Sequence, residues 1–373
     1  MAGIYLHIPF CKQACHYCNF HFSTSLKQKD ALLDALIDEI RLQKDYLEGR
    51  PLNSIYLGGG TPSLLSADEL ARLFEVIYQL HTVVDKAEIT LEANPDDLNK
   101  QTLKALRQTP INRLSIGIQS FSGADLAFMN RAHNATEAEA CIDLALDQGF
   151  SDLSVDLIYG TPTMDDRQWE ANMEKVFAKK IPHLSCYCLT VEPQTALDYF
   201  VKQGKAKPVD EEQAARQFEM LIKRAKGAGY DHYEISNFAQ PGHYAQHNSN
   251  YWLSENYLGV GPSAHSFNGH SRQWNVANNA KYIKALSQGE LAFEKEELTA
   301  DQRYNEYIMT GLRTIWGCDL EKINQLDPTY RAHFLQQAQV FLEDGNLIRQ
   351  NEIFTLSEAG RLLADRIAME LFV

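Results

Sequence analysis

Three cysteines near the amino terminus, Cys11, Cys15 and Cys18, stand at spacings of four and three residues. They follow the strand-like run Gly3–Ile8, and an irregular loop there can turn all three thiolates toward one metal centre. Cysteine is the usual ligand of the irons in a [4Fe–4S] cluster. Three thiolates leave one of the four irons without a protein ligand. That iron can bind a small chelating molecule, for example through the amino and carboxylate groups of a methionine derivative.

A structural zinc site and a disulfide are the alternative uses of these cysteines. Closed zinc sites take four ligands, often with paired Cys-x2–4-Cys spacing, and His7, His16 or His21 could supply the fourth. No second cysteine pair stands elsewhere at ligand spacing. A disulfide is disfavoured because the group of three and the total of seven cysteines are both odd, and nothing marks the chain as secreted. The iron–sulfur interpretation is favoured over both.

Short β-branched or aromatic runs alternate with helix-period segments through most of the chain. Strands are predicted at Gly3–Ile8, Ser54–Leu57, Glu88–Glu92, Arg113–Ile118, Leu153–Ile158, Leu184–Leu189 and Tyr230–Ile235. Helices are predicted between them at Lys27–Leu47, Ala67–Leu80, Lys100–Arg107, Thr136–Gln148, Arg167–Ala178 and Glu211–Ala228. This alternation implies parallel strands with crossover helices. The number of units predicts an α/β fold built on an open or closed barrel.

Polar or flexible residues follow successive predicted strands. In βα barrels, the loops at the carboxyl ends of the strands build the active site. The residues in question are Gly58 to Thr61, Glu92, Asn94, Gln119, Asp156 and Glu192. Each of them alone could cap the following helix or satisfy a turn. As a set they favour a ligand site.

The run Tyr5-x-His7-Ile8-Pro9-Phe10-Cys11 resembles the radical S-adenosylmethionine (SAM) proteins, and more narrowly the relatives of oxygen-independent coproporphyrinogen III oxidase. The segment Gly117–Phe121 is also characteristic of that family. The resemblance covers nearly the whole chain and implies a partial or full (β/α) radical SAM barrel with a C-terminal winged-helix-like, mainly α domain. The true oxidases carry a further cysteine two residues after the third. This chain has Phe20 there, which is the pattern of the heme-chaperone branch.

The resemblance also implies a set of SAM contacts. They map to Tyr5, Tyr17, Gly59, Gly60, Thr61, Glu92, Gln119, Arg131 and Asp156. Each residue type suits such a role: glycines let the backbone lie against a ligand, and carboxylates accept hydrogen bonds from ribose hydroxyls or an amino group. A guanidinium can pair with the methionine carboxylate as a fork.

A heme contact is implied by the element His247-Asn248-x-x-Tyr251-Trp252, which in the chaperone branch has been linked to heme. Histidine is a standard axial ligand of heme iron, so His247 is the first candidate and His265 the second. The alternative is that His247 hydrogen-bonds locally and holds its segment in place. No Cys-x-x-Cys-His is present to attach heme in the cytochrome manner.

Composition limits the partners. The net charge of −14 at pH 7 argues against nucleic acid, because duplex binding relies on Lys and Arg at phosphates. The sequence contains no apolar run of roughly 18 residues, so no membrane span is predicted. It also contains no signal-peptide pattern. We therefore expect a cytoplasmic protein with reduced thiols. We predict a barrel at 1–235, an aromatic- and Gly-rich connecting segment over the barrel mouth at 236–290, and the winged-helix-like domain at 291–373.

Two functions follow from the resemblance. The first is a heme chaperone with a [4Fe–4S] cluster and exchangeable SAM, which passes heme to an acceptor protein. The second is a radical SAM oxidoreductase acting on a tetrapyrrole, which would need an electron donor to cleave SAM. Phe20 in place of the fourth cysteine favours the first, and the complete set of SAM residues keeps the second open.

Overall fold

Six parallel strands separated by helices build the first half of the chain in the computed structural model, which describes residues 1–373. They are β1 (Ala2–Ile8), β2 (Leu52–Gly59), β3 (Val83–Ala93), β4 (Arg113–Gln119), β5 (Asp152–Tyr159) and β6 (His183–Cys188). Each strand pairs in parallel with the next along the chain. The predicted parallel arrangement is therefore confirmed.

Eight helices connect or follow these strands. They are α1 (Lys29–Leu42), α2 (Ala67–Leu80), α3 (Lys100–Leu106), α4 (Gly123–Phe128), α5 (Ala135–Asp147), α6 (Asp166–Ala178), α7 (Ala196–Lys202) and α8 (Glu211–Gly227). Capping boxes at Ser66, Asn134 and Asp165 start α2, α5 and α6, because the cap side chain and the residue three positions later satisfy free backbone amides. Between helices and sheet lies a core of 59 buried apolar residues, against 17 in the separate core at the C-terminal end.

The sheet continues past both ends of the six-stranded unit. The added elements are β7 (Asp231–Glu234), β8 (Asn237–Ala239), α9 (Gln246–Trp252), β9 (Asn256–Val260), β10 (His265–Phe267), β11 (Ser271–Asn275), α10 (Asn279–Ser287) and β12 (Phe293–Glu297). The strand order is β12-β11-β10-β9-β1-β2-β3-β4-β5-β6-β8-β7. Strands β12 and β7 are the two edge strands and do not pair with each other, so the barrel is partial. The seventh predicted strand is β7, which runs antiparallel to β8.

Residues 236–290 correct one expectation. The segment was expected to connect the barrel to the next domain across the mouth, but β9 to β11 lie in the sheet, and β9 pairs in parallel with β1. Within the segment, α9 lies over the amino-terminal half of the strands. The backbone amides of Gln246 and His247 donate to the Glu88 carboxylate, and Glu88 pairs in register with Ser54 near the start of β2.

The C-terminal part is mainly helical. It contains α11 (Ala300–Leu312), β13 (Cys318–Asp319), α12 (Leu320–Leu326), α13 (Pro328–Glu343), β14 (Leu347–Gln350), β15 (Ile353–Leu356), α14 (Glu358–Arg361) and α15 (Ala364–Glu370). Strands β14 and β15 pair antiparallel as a hairpin. The expected α/β barrel with a mainly α C-terminal domain is confirmed. None of the helices is long and apolar enough to cross a membrane.

A buried carboxylate fastens the β9–β11 extension to α1. Glu39 is 1% exposed and accepts hydrogen bonds from Tyr282 Oη (2.6 Å), Gly261 N (2.8 Å), Asn275 Nδ2 (2.7 Å) and Gln43 Nε2 (3.3 Å). Burial raises the pKa of Glu39, while these donors oppose the rise. The carboxylate is thus the common acceptor for groups that would otherwise be buried and unsatisfied.

We expect Glu39→Ala to lower the free energy of unfolding by about 3 kcal/mol, because a buried donor left without its acceptor costs about 1–3 kcal/mol. Denaturant unfolding followed by circular dichroism measures this. Asp34→Ala is the control, since Asp34 lies on the same helix in an exposed ion pair with Arg72, and exposed pairs contribute about 0–1 kcal/mol. Equal losses from the two variants would contradict the role given to Glu39.

Candidate functional site

A cavity of about 380 Å³ opens at the carboxyl ends of the parallel strands. Nine of the residues predicted from the sequence line it: Cys15, Tyr17, Cys18, Gly59, Gly60, Glu92, Gln119, Arg131 and Asp156. They come from the cysteine loop, from the ends of β2 to β5 and from the turn after α4. The strand ends therefore meet as the parallel topology requires.

The cysteine loop is held in place by backbone hydrogen bonds. Cys11 N donates to Ser23 O (3.0 Å) and Ser23 N donates to Pro9 O (2.8 Å), so the two ends of the loop are joined. In the middle, His16 N donates to Met129 O at the end of α4 (3.1 Å). The loop is thus fixed to the barrel on both sides.

The three thiols are free, half-buried and not placed for one ion. No group of three or more His, Cys, Asp or Glu side chains is arranged to hold a single metal. A [4Fe–4S] cluster has different ligand geometry, because its thiolates bind separate irons and need not converge on one atom. Burial raises the pKa of Cys11, and raises that of Cys18 to about 11.

Arg131 joins the cysteine loop to the strand ends. Its Nη1 donates to Cys15 Sγ (3.2 Å), and its Nη2 donates to Asn94 Oδ1 (2.6 Å) and Gly117 O (2.8 Å). The third nitrogen, Nε, is buried and has no hydrogen-bond partner. Buried donors are rarely left unsatisfied, so a ligand with an anionic group fits this position.

Two backbone features shape the floor of the cavity. Gly59 has φ +103°, and a Cβ there would lie 2.4 Å from His7 Nδ1, so only glycine fits. Gln119 adopts φ +64°, which is uncommon for a residue with a side chain. Such strained residues cluster at ligand sites. A Cβ on Gly117 would lie 3.0 Å from Gln119 Nε2, so this glycine leaves room for the amide.

Two half-buried carboxyl groups face the cavity. Glu92 accepts hydrogen bonds from Tyr56 Oη (2.8 Å) and Gly59 N (3.1 Å). Burial raises its pKa to about 7, and Asp156 adds to the rise. Burial likewise raises the pKa of Asp156 to about 6, although Ser115 donates to it (3.3 Å). Both acids can therefore change protonation state near neutral pH, and a cationic ligand would favour their ionised forms.

Three predicted residues lie just outside the cavity. Tyr5 hydrogen-bonds His7 Nδ1 through its hydroxyl (3.1 Å) and lines a neighbouring cavity. Thr61 is buried, accepts from Asn94 Nδ2 (3.0 Å) and hydrogen-bonds Cys11. Cys11 itself does not line the cavity. Tyr5 and Thr61 are placed to support the residues that do.

His247 hydrogen-bonds locally in the fold. It is 1% exposed, its Nδ1 hydrogen-bonds Ser54 Oγ (2.8 Å), and its Nε2 hydrogen-bonds Tyr251 Oη (2.8 Å). Burial lowers its pKa to about 3. Both ring nitrogens are occupied where α9 packs against β2, so neither is free for heme iron in this arrangement. It holds α9 against β2, as the alternative interpretation stated.

The cavity also contains residues that the sequence did not assign to it. Tyr187, Cys188 and Leu189 form one wall at the end of β6. Two-residue spacing places Cys186 and Cys188 on one face of β6. Cys186 is buried, but Cys188 is exposed and faces the cavity.

Sequence profiles match two parts of the chain. The Radical SAM superfamily matches residues 5–176, and the HemN C-terminal domain matches residues 298–363. Among solved structures, coproporphyrinogen III oxidase (HemN) from Escherichia coli, a radical SAM enzyme, aligns with a TM-score of 0.85 and 24% identity. The alignment covers 100% of this chain and 90% of that one. The two proteins share a fold.

Full-length relatives narrow the family. A protein named Heme chaperone HemW from Mycobacterium tuberculosis is 32% identical over 99% of this chain and 94% of its own length. Another of that name from Bacillus subtilis is 31% identical over 98% of both chains. The mouse protein named Radical S-adenosyl methionine domain-containing protein 1, mitochondrial, is 32% identical over 88% of this chain and 76% of its own. The chain belongs to the HemW family of the radical SAM superfamily.

Proposed function

We propose that this protein is a heme chaperone: it carries a [4Fe–4S] cluster and exchangeable SAM, binds heme, and passes the heme to an acceptor protein. The observation that carries the proposal is the end-to-end similarity to proteins named Heme chaperone HemW. Phe20 at the position of the oxidases' further cysteine supports it. The cluster and SAM come with membership of the radical SAM superfamily.

In this proposal, Cys11, Cys15 and Cys18 hold the cluster, and SAM lies in the 380 Å³ cavity. When bound, the cluster and SAM together supply one-electron chemistry. The unpartnered Nε of Arg131 is available to a carboxylate. Glu92 and Asp156 are available to hydroxyl or ammonium donors.

Gln119 can both donate and accept hydrogen bonds, and Gly59 and Gly60 leave the backbone open to the ligand. Tyr17 lines the wall of the cavity. Tyr5 and Thr61 lie outside the cavity and support the residues that line it.

The domain division is also proposed. Residues 1–235 form the barrel, 236–290 extend its sheet, and 291–373 form the appended domain. We propose a cytoplasmic location, and no role for nucleic acid because the chain carries net charge −14. An electron donor is required only if SAM is cleaved.

The second candidate is a radical SAM oxidoreductase that acts on a tetrapyrrole. The set of cavity residues favours it, because Arg131, Glu92, Gln119 and Asp156 all face one space. Such a function would use the same cluster and SAM and differ in consuming the tetrapyrrole.

Anaerobic reconstitution followed by heme titration separates the two candidates. We expect a Soret band that saturates with added heme, and no decarboxylation of coproporphyrinogen when SAM and a reductant are supplied. A radical SAM oxidase assayed in parallel checks the second measurement. Decarboxylation without heme binding would overturn the chaperone proposal in favour of the enzyme.

A further inference from the structure

A second cavity, of about 390 Å³, lies beside the cluster loop on the β9 side of β1. Its aromatic lining includes Phe20, Tyr251 and Tyr257. Phe20 is 67% exposed, and Tyr257 meets Tyr251 edge to face at 4.5 Å. Aromatic side chains present flat apolar faces that suit a flat conjugated ligand. This cavity is distinct from the one assigned to SAM, although Phe20 borders both.

Three histidines line the second cavity, and they differ in what occupies their nitrogens. His7 hydrogen-bonds Tyr5 Oη (3.1 Å) and His21 O (2.9 Å). His21 uses Nε2 to bond Asn279 Oδ1 (2.7 Å). His265, on β10, is exposed and neither of its ring nitrogens has a hydrogen-bond partner in the fold. It is therefore the histidine best able to offer a nitrogen to a metal in this cavity.

The surroundings of His265 favour a metal ligand. Its ring stacks near that of Trp274, with centroids 6.2 Å apart and planes at 28°. Partial burial of its ring lowers the pKa of His265, and the positive charge of Arg272 lowers it further. The neutral imidazole that metals bind is thus favoured.

Arg272 supplies a positive charge near the same site. It pairs with Glu306 (3.0 Å), but its Nε is buried without a partner. Arg272 does not line the cavity, but its positive charge acts on the same region and suits an anionic substituent on the ligand.

We propose that heme binds in this second cavity, with His265 as its axial ligand, the aromatic side chains of Phe20, Tyr251 and Tyr257 against the macrocycle, and Arg272 toward the propionates. The assignment rests on the proposed function, which makes heme the cargo. The exposure of Phe20 and His265 leaves part of the bound macrocycle accessible, as handover to an acceptor requires. Heme would then contact Phe20, two positions after Cys18, so the same loop would bind both the heme and the cluster.

Heme titration of the full-length, cluster-loaded protein tests the assignment. We expect His265→Ala to weaken heme binding by about tenfold or more, since losing even an outer partner of a metal ligand typically costs 10–100-fold. The Soret band should shift, and added imidazole should restore its position. His270→Ala is the matched control, because His270 is exposed in the turn between β10 and β11; it should bind heme as the unchanged protein does.

His265→Met gives a second readout that does not depend on lost affinity. Methionine is also an axial ligand but gives a different spectrum, so this variant should keep heme and change its absorption. If the unchanged protein binds heme and all three variants match it in affinity and spectrum, the assignment to His265 is wrong while the chaperone proposal stands. If the unchanged protein binds no heme, the chaperone proposal itself fails.

Discussion

Serine at Cys11, Cys15 or Cys18 should abolish cluster assembly, the largest single effect that we expect from this chain. In the proposed site each thiolate holds a different iron, so two remaining thiolates cannot fix the cube. A serine hydroxyl is a poor ligand for iron in such clusters. After anaerobic reconstitution, bound iron should fall from about four per chain to near zero. The visible absorption of the cluster should disappear with it. Circular dichroism should stay unchanged, because the 59-residue core lies between the helices and the sheet.

Cys188→Ser is the matched control for this experiment. Cys188 lies on β6, is exposed and lines the same cavity. The variant therefore tests whether the loss of any cavity thiol reduces the bound iron. The control should retain its full iron content and absorption. Loss of iron from Cys188→Ser would mean that this thiol occupies the fourth iron, and would contradict the place given to SAM.

The cysteine loop and the strand-end residues could be found from the sequence because their signals are local. Three cysteines within eight residues define a metal site without knowledge of the fold. Glu92, Gln119 and Asp156 follow from one further rule, that carboxyl ends of parallel strands meet at one edge. Helix α2 was predicted with its observed bounds, since Ser66 and Glu69 form a capping box at its start.

The β9–β12 extension could not be predicted in the same way. Its strands are short, with three residues in β10, and β9 pairs with β1 across most of the chain length. Such pairing leaves no periodic signal, because it depends on which edge of the sheet is free. The same distance hides the partners of His247, which bonds Ser54 nearly two hundred residues earlier.

The second cavity was also hidden, because the sequence names His265 without showing what surrounds it. Phe20, Tyr251 and His265 come from three separate segments. The sheet extension brings them together, and that extension was the part of the fold with the least local signal. A functional site formed by a non-local edge pairing requires the structure.

Glu92→Gln should have two opposite effects, the second largest change that we expect. SAM affinity should fall roughly 10–100-fold, because a hydrogen bond to a charged group contributes about 1.5–3 kcal/mol. Equilibrium binding of SAM to the cluster-loaded protein measures this. Asp85→Asn makes the same carboxyl-to-amide change at an exposed position of β3 and should leave SAM affinity unchanged.

The same substitution should stabilise the protein without SAM at pH 8. Burial raises the pKa of Glu92 to about 7, so the folded state favours the protonated acid. The contribution of the protonated acid to folding stability is complete below the unfolded pKa of about 4.3. It is lost as the pH rises through about 7.

A neutral amide escapes the loss, and its carbonyl can still accept from Gly59 N while its NH2 donates to Tyr56 Oη. The gain in unfolding free energy should be on the order of 3 kcal/mol at pH 8 and close to zero at pH 4. An equal gain at both pH values would show that the charge of Glu92 is not the source of the gain. A gain confined to high pH would mean that the charged carboxylate destabilises the fold and serves the ligand instead.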